Sequence, residues 1–281
     1  MPPEVWTAVM AGLGLTVGSF LNVCIHRLPQ GVSVVFPRSS CPSCGHTLGA
    51  AELVPVLSYL FQRGKCRSCG CRISPRYALV EILTGAIFVF CHRYFFLHGD
   101  IASGLAYLYF FSVLVVVVFI DLDHYLILDV VTYPGMAVAL ILALPGHWPL
   151  AAGAPVPRLL ESAQGLAVGG GILWLIQFLG MLWYRKQGLA AMGLGDVKLA
   201  AFTGAFLGPK HQAYALFISV VIGGVGGMLL MLSGIRKGKE YIAFGPVLAA
   251  GAAIAPFYGM EFYEGLMRMI QTLVSLIMER L

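Results

Sequence analysis

Thirteen acidic side chains are spread along 281 residues, and a few stand where a carboxylate is costly. Asp121, Asp123 and Asp129 lie in FIDLDHYLILD, at the end of a long apolar run. Asp196 lies in GLGDVKLAAF, preceded by Gly193 and Gly195 and followed by another apolar run. Ionisable groups at membrane depth are expensive and mark functional candidates. Two carboxylates that meet in a place of low dielectric cannot both ionise readily and share a proton. One then serves as base toward water, and the other, protonated, serves as acid toward a peptide carbonyl. The same pairing would serve proton transport, so the residue types alone do not choose a substrate. Asp121 and Asp196 are the two best placed for such work. Asp123 and Asp129 read more simply as helix caps or ion-pair partners. Asp196 could itself cap a helix, and Glu81, in RYALVEILTG, could pair with Arg76 or Arg72.

A second constellation is made of thiols. Cys41 and Cys44 form one C-x-x-C, in CPSCGHTL, and Cys66 and Cys69 form another, in GKCRSCGCRIS. Two such knuckles about 20 residues apart read as a four-thiolate zinc site, because each turn aims two sulfurs at one point. Gly45 and Gly70 help each turn. A four-cysteine site is closed to substrate, so the zinc is expected to be structural. Cys71 reads as a bystander, and Cys24 and Cys91 as small apolar packers. Disulfides are the competing reading, and a reducing compartment argues against them.

The elements that must position these groups are membrane helices. Of the residues 59% are hydrophobic and 11% charged, against about 25% charged in soluble domains. The mean hydropathy is +0.85. Apolar runs near the length needed to cross a bilayer lie at 5–25, 77–96, 101–120, 130–146, 163–184, 212–233 and 243–260, with a shorter one at 197–209. The expectation is an all-α polytopic membrane protein of about eight transmembrane helices. The first run has no basic stretch before it and reads as a span rather than a cleaved signal. With the N-terminus outside, the inside segments hold Arg27, Arg38, Arg63, Lys65, Arg67, Arg72, Arg76, Arg185, Lys186, Lys198, Arg236, Lys237 and Lys239. That bias commits the orientation, because basic residues stay cytoplasmic. The cysteine loop, Asp121 and Asp196 then all face the cytoplasm. The expected organisation is a first helix (1–25), a cytoplasmic zinc loop (26–76), a transmembrane catalytic domain (77–260) and a tail (261–281).

Read in order, GSFLNVCIHRLP at 18–29, the two knuckles, PVLSYLFQRGKCRSCGCRISPRYALVEILTG at 55–85, IDLDHYLILD at 120–129, GLGDVKLAA at 193–201 and FGPVLAAGA at 244–252 resemble the type IV prepilin peptidases. GLGD also fits the G-x-G-D motif of intramembrane aspartyl proteases. The resemblance implies a bifunctional enzyme of the bacterial inner membrane. Such an enzyme cuts the basic leader from type IV prepilins or type II secretion pseudopilins at the cytoplasmic face. It then methylates the new N-terminus from S-adenosylmethionine. It implies Asp121 and Asp196 as the catalytic pair, with Asp123 the rival of Asp121, and a loop at Gly193 and Gly195 open to substrate backbone. No nucleic-acid partner is implied. Two departures stand out. Ile127-Leu128 replaces an Ile/Leu-Pro pair, and Leu53-Val54-Pro55 stands where the family often has Asn-Ile-Pro. The second departure touches the segment tied to methylation and leaves a peptidase without methyltransferase activity as an alternative. No glycine-rich nucleotide fingerprint places the methyl donor; Asn22, Arg27, Glu52, Lys65 and Glu81 are candidates. A transporter with paired carboxylates should place them near the bilayer midplane and often carry an internal repeat. A zinc-dependent membrane protease would need His-Glu-x-x-His, which the seven histidines never form.

Overall fold

A backbone crossing hydrocarbon must satisfy its own hydrogen bonds, and helices are the way a single segment does so. The computed structural model describes residues 2–144, 158–184, 193–233 and 243–278, and they are helical almost wherever the sequence is apolar. The helices are α1 (Pro3–Arg27), α2 (Leu57–Phe61), α3 (Arg76–Tyr94), α4 (Ile101–His124), α5 (Asp129–Ala143), α6 (Arg158–Tyr184), α7 (Leu194–Leu232) and α8 (Gly245–Met278). The chain divides into two compact units, Met1–His124 and Tyr125–Leu281.

The all-α membrane architecture expected from composition is present; the described residues do not confirm the count of eight spans. Among the described residues five helices are long and apolar enough to cross a bilayer: Pro3–Gln30, Arg76–His98, Ile101–His124, Leu159–Trp183 and Leu194–Leu229. Asp129–Ala143 is apolar but shorter. The runs at 197–209 and 212–233, expected as separate spans, are two helices joined at Gly208 within the stretch labelled α7. They meet at a kink where Gly208 takes φ +70°. Pro209 follows it and lacks the N–H an unbroken helix would need. The tail after residue 260 continues α8 to Met278. Five of the basic residues used for orientation, Arg185, Lys186, Arg236, Lys237 and Lys239, lie outside the described residues.

In the first unit α1 and α3 pack through small residues. A Cβ built on Gly18 would stand 2.7 Å from the Glu81 Cα, and one on Gly14 2.8 Å from the Gly85 Cα. Asn22 of α1 donates its side-chain amide to the Tyr77 carbonyl of α3 at 2.9 Å. In the second unit the backbones of α6 and α7 touch: a Cβ on Gly204 would lie 2.0 Å from the Gly165 oxygen. Beside this crossing Ser162 donates to the Ala205 carbonyl at 2.7 Å. Lipid tails are as apolar as leucine, so close backbone packing and interhelical hydrogen bonds, rather than hydrophobic burial, hold such helices together.

Gly204→Ala is therefore expected to destabilise the protein by about 1–3 kcal/mol, the usual cost of forcing a methyl group into a full interface. Gly171→Ala, whose Cβ would meet nothing within 4 Å, should be neutral. Denaturation of both variants in detergent checks the contrast.

Candidate active site and thiol centre

Asp121 sits in the last turns of α4 and is buried, with 5% of its surface exposed. Its neighbourhood is fixed by one side chain from α3. Arg76 pairs with the Asp123 carboxylate. It also donates to the Phe119 carbonyl at 2.7 Å and lies over the Phe119 ring at 4.9 Å. A planar guanidinium with several donors is suited to this, whereas an ammonium is not. Asp123 is thus consumed by an ion pair at the open edge of the helix, while Asp121, two residues earlier, points into the buried side. An open cleft at the same end is lined by Asn22, His26, Ser74, Arg76, Asp123 and His124, among others.

Asp196 is the third residue of α7, in its first turn, and its N–H donates to the Gly193 carbonyl at 3.2 Å. A carboxylate in a first turn is favoured by the helix dipole. Gly193, just outside the helix, faces the carboxylate: a Cβ there would lie 3.4 Å from Asp196 Oδ2. Gly195 has a different use. A Cβ on it would come within 2.9 Å of the Ile127 Cβ, so the first turn of α7 can pack on the segment before α5 only because position 195 is glycine. Ile127 is buried there. Asp129, at the start of α5, accepts from Lys198 Nζ of α7 at 2.5 Å, and Lys198 also lies over the Tyr133 ring. Asp123 and Asp129 are accordingly ion-paired.

The thiol loop is two copies of one turn. In the first, Cys41 N–H donates to His46 O, and Gly45 N–H to Cys41 O, each at 2.9 Å. In the second, Cys66 N–H donates to Cys71 O at 2.8 Å and Gly70 N–H to Cys66 O at 2.9 Å. Gly45 and Gly70 both take φ +71°, the left-handed conformation such a turn requires. All seven cysteines are free thiols. The structure brings Cys41, Cys66, Cys69 and Cys71 together, with all four sulfurs within 4.8 Å of one another. Cys41 lies 3.9 Å from Cys69 and 3.5 Å from Cys71. Sulfurs on a tetrahedral cation at about 2.3 Å stand about 3.8 Å apart, so the donor set fits a metal. Backbone N–H groups of Cys44 and Ser43 pull the Cys41 thiol down to about 6, favouring the thiolate that a metal binds.

Cys71, which reads from sequence as a bystander, stands within this quartet, and the Cys44 thiol also lies against Cys41, Cys66 and Cys69. The signal lay in the repeat: Cys71 holds in the second turn the place that His46 holds in the first. His46 is engaged elsewhere, 3.1 Å from Glu52 Oε2. The Gly49 N–H, with His46, holds the Glu52 carboxyl below its usual range.

The methyl-donor candidates also separate. Glu81 pairs with neither Arg76 nor Arg72; it accepts the Val56 N–H at 2.7 Å. Arg27 donates to Ser33 O at 2.9 Å. Glu52 is held by His46 and Gly49, and Lys65 is exposed. Only Asn22 lines the cleft beside Asp123.

Two family models match the chain. The bacterial peptidase A24 N-terminal domain covers residues 13–95, which include the thiol loop, and the type IV leader peptidase family covers residues 108–228, which include Asp121 and Asp196. Among curated proteins, the chain is similar to the prepilin leader peptidase/N-methyltransferase of Myxococcus xanthus (strain DK1622). The two are 40% identical over 228 residues, 81% of this chain and 64% of that protein. Proteins of the same name from Bacillus subtilis (strain 168) and Burkholderia pseudomallei (strain 1026b) are 35% and 33% identical. Those matches cover 89% and 94% of this chain and 94% and 89% of the relatives. No solved structure matches.

Cys41→Ser and Cys66→Ser are expected to empty the thiol centre, from about one metal ion per chain to none, read by elemental analysis of purified protein. Cys44→Ser and Cys69→Ser should each lower metal retention against a chelator.

Proposed function

This chain belongs to the type IV leader peptidase family, and from that membership we propose that it is an aspartic endopeptidase of the bacterial inner membrane that also N-methylates its product. Its substrates are type IV prepilins or type II secretion pseudopilins. The leader is cut at the cytoplasmic face, and the newly exposed α-amine is then methylated from S-adenosylmethionine. The observation that carries the assignment of residues is the sorting of the carboxylates. Asp123 is neutralised by Arg76 and Asp129 by Lys198. Asp121 is buried at the end of an apolar helix, and Asp196 opens another.

In this mechanism Asp121 and Asp196 share one proton. The ionised member takes a proton from water as that water attacks the scissile carbonyl, and the protonated member donates to the carbonyl oxygen. The peptide is bound extended, because helical carbonyls are already hydrogen-bonded. Gly193 leaves the approach to Asp196 free of side chains, and Gly195 lets the turn that carries it sit down on Ile127. No covalent enzyme intermediate forms. Arg76 is a positioning residue that holds the last turns of α4 through Phe119 and Asp123. The thiol centre binds zinc, which orders the cytoplasmic loop and has no place in cleavage. The methyl donor supplies an electrophilic methyl group to the α-amine. The cleft beside Asp123, with Asn22 and His26 on its walls, is where polar groups of the first unit converge for that step.

One incubation of purified protein with a prepilin peptide and labelled S-adenosylmethionine tests both activities, since cleavage and label transfer are read from the same sample. Cleavage without transfer would reduce the reading to a peptidase alone. Asp121→Ala and Asp196→Ala should each lower cleavage about 10²–10⁴-fold, the usual loss on removing a general acid or base, with membrane insertion unchanged. Cleavage that survives Asp121→Ala but not Asp123→Ala would show the pair to be wrong. Arg76→Ala should lower kcat by about 10²-fold with little change in KM, because a displaced catalytic group costs rate more than binding. Arg76→Lys should recover part of that loss.

A further inference from the structure

The polar loop between α1 and α3 carries more exposed apolar surface than a water-facing loop should. In α2, Leu57, Leu60 and Phe61 are 52%, 62% and 84% exposed. Their spacing, i, i+3 and i+4, puts them on one face of the helix. Leu53 and Val54, just before α2, are also exposed. Ser58 and Tyr59 are the more covered residues of this helix, and Tyr59 turns back onto the chain at Gly64. The apolar side of α2 therefore faces outward.

One hydrogen bond ties the start of α2 directly to α3. Val56, immediately before α2, donates its N–H to Glu81 at 2.7 Å. Glu81 is buried in α3, five residues past its first residue, Arg76. At 1.5 Å per residue that is about 7.5 Å along a membrane-spanning helix. Val56 holds φ +60° and ψ −48° in making this contact. Such a φ is a clear outlier for a β-branched residue, so the geometry is imposed by the surroundings rather than by local preference. Helices that lie in a membrane surface bury one apolar face about 5–10 Å into the boundary between headgroups and acyl chains. That is the depth at which Glu81 tethers α2.

The charge around α2 is of the matching kind. Residues 26–76 carry Arg27, Arg38, Arg63, Lys65, Arg67, Arg72 and Arg76 against one acid, Glu52. Arg63 and Lys65, directly after α2, are exposed. Basic residues beside an embedded apolar face are attracted to anionic lipid headgroups.

We propose that α2 is an interfacial anchor: the Leu57, Leu60 and Phe61 face is embedded in the lipid leaflet, and Arg63 and Lys65 lie at the headgroup phosphates. The occupant of this face is the bilayer itself. The thiol loop is then held flat against the membrane rather than projecting into water. The inference rests on the reading of α1 and α3 as spans and is independent of the enzymatic assignment.

The test uses the full chain in nanodiscs of mixed phosphatidylglycerol and phosphatidylcholine, with no substrate present. Phe61 is replaced with 4-trifluoromethylphenylalanine, and its ¹⁹F line is followed with a nitroxide on carbon 5 of the lipid chain and, separately, with an aqueous gadolinium chelate. Leu60 carries the same label in a second sample, so a failure of either variant to assemble leaves a reporter. Thr47, exposed in the first thiol turn, is the water-facing reference. Broadening at positions 60 and 61 by the lipid nitroxide, with broadening at position 47 by the chelate only, is the expected result. Broadening at 60 and 61 by the chelate alone would overturn the proposal. Protection from both agents would mean that a protein surface, a second copy or another chain, covers the face, and would overturn it too.

Discussion

The Arg76 guanidinium is the contact on which the arrangement of the first unit turns. It starts α3, reaches across to α4 and holds the Phe119 carbonyl, the Phe119 ring and the Asp123 carboxylate together. In a segment that crosses a membrane, charge must stay at the ends or be paired. Arg76 satisfies both conditions for Asp123, and Asp121 is the buried carboxylate of α4. The same arginine begins the helix that follows the thiol loop.

The second unit solves the same problem with a different pair. Lys198 of α7 holds Asp129 of α5, and Gly195 allows α7 to close on Ile127. These contacts flank Asp196 on either side and fix the first turn that carries it. Beyond that turn, α6, α7 and α8 approach through glycine, alanine and serine. A Cβ on Gly251 of α8 would lie 2.4 Å from the Ala215 oxygen of α7. Ser219 donates to the Ala215 carbonyl and reaches that of Val247 at 3.2 Å. Helices packed backbone to backbone hold their ends at fixed positions, which suits the role proposed for Asp196.

The thiol loop, with little apolar core of its own, is organised by three local devices. These are a duplicated turn with left-handed glycines, a four-sulfur cluster, and a buried carboxylate that captures the Val56 N–H. The last of these ties the loop to α3, as Arg76 ties α3 to α4.

The all-α class, the polar loop, the paired cysteine motifs and the acids worth attention were legible in the residues, because each follows from local composition or spacing. Hydropathy reports where hydrocarbon is, and C-x-x-C reports a turn. Hydropathy marked the break at Gly208 and Pro209, where the helix is interrupted, but it did not report how the two halves pack. Nor did it report the fates of individual charges. Glu81 could have met Arg76 or Arg72 by spacing along one helix, but its neighbour is a backbone amide 25 residues earlier. Cys71 looked incidental beside two complete motifs, and only the folded turn brings its sulfur to Cys41. Asp121 and Asp123 stand two residues apart and are chemically identical. What separates them is that Asp121 is buried while Asp123 stands more exposed against Arg76, and that is a property of packing between helices that no local pattern encodes.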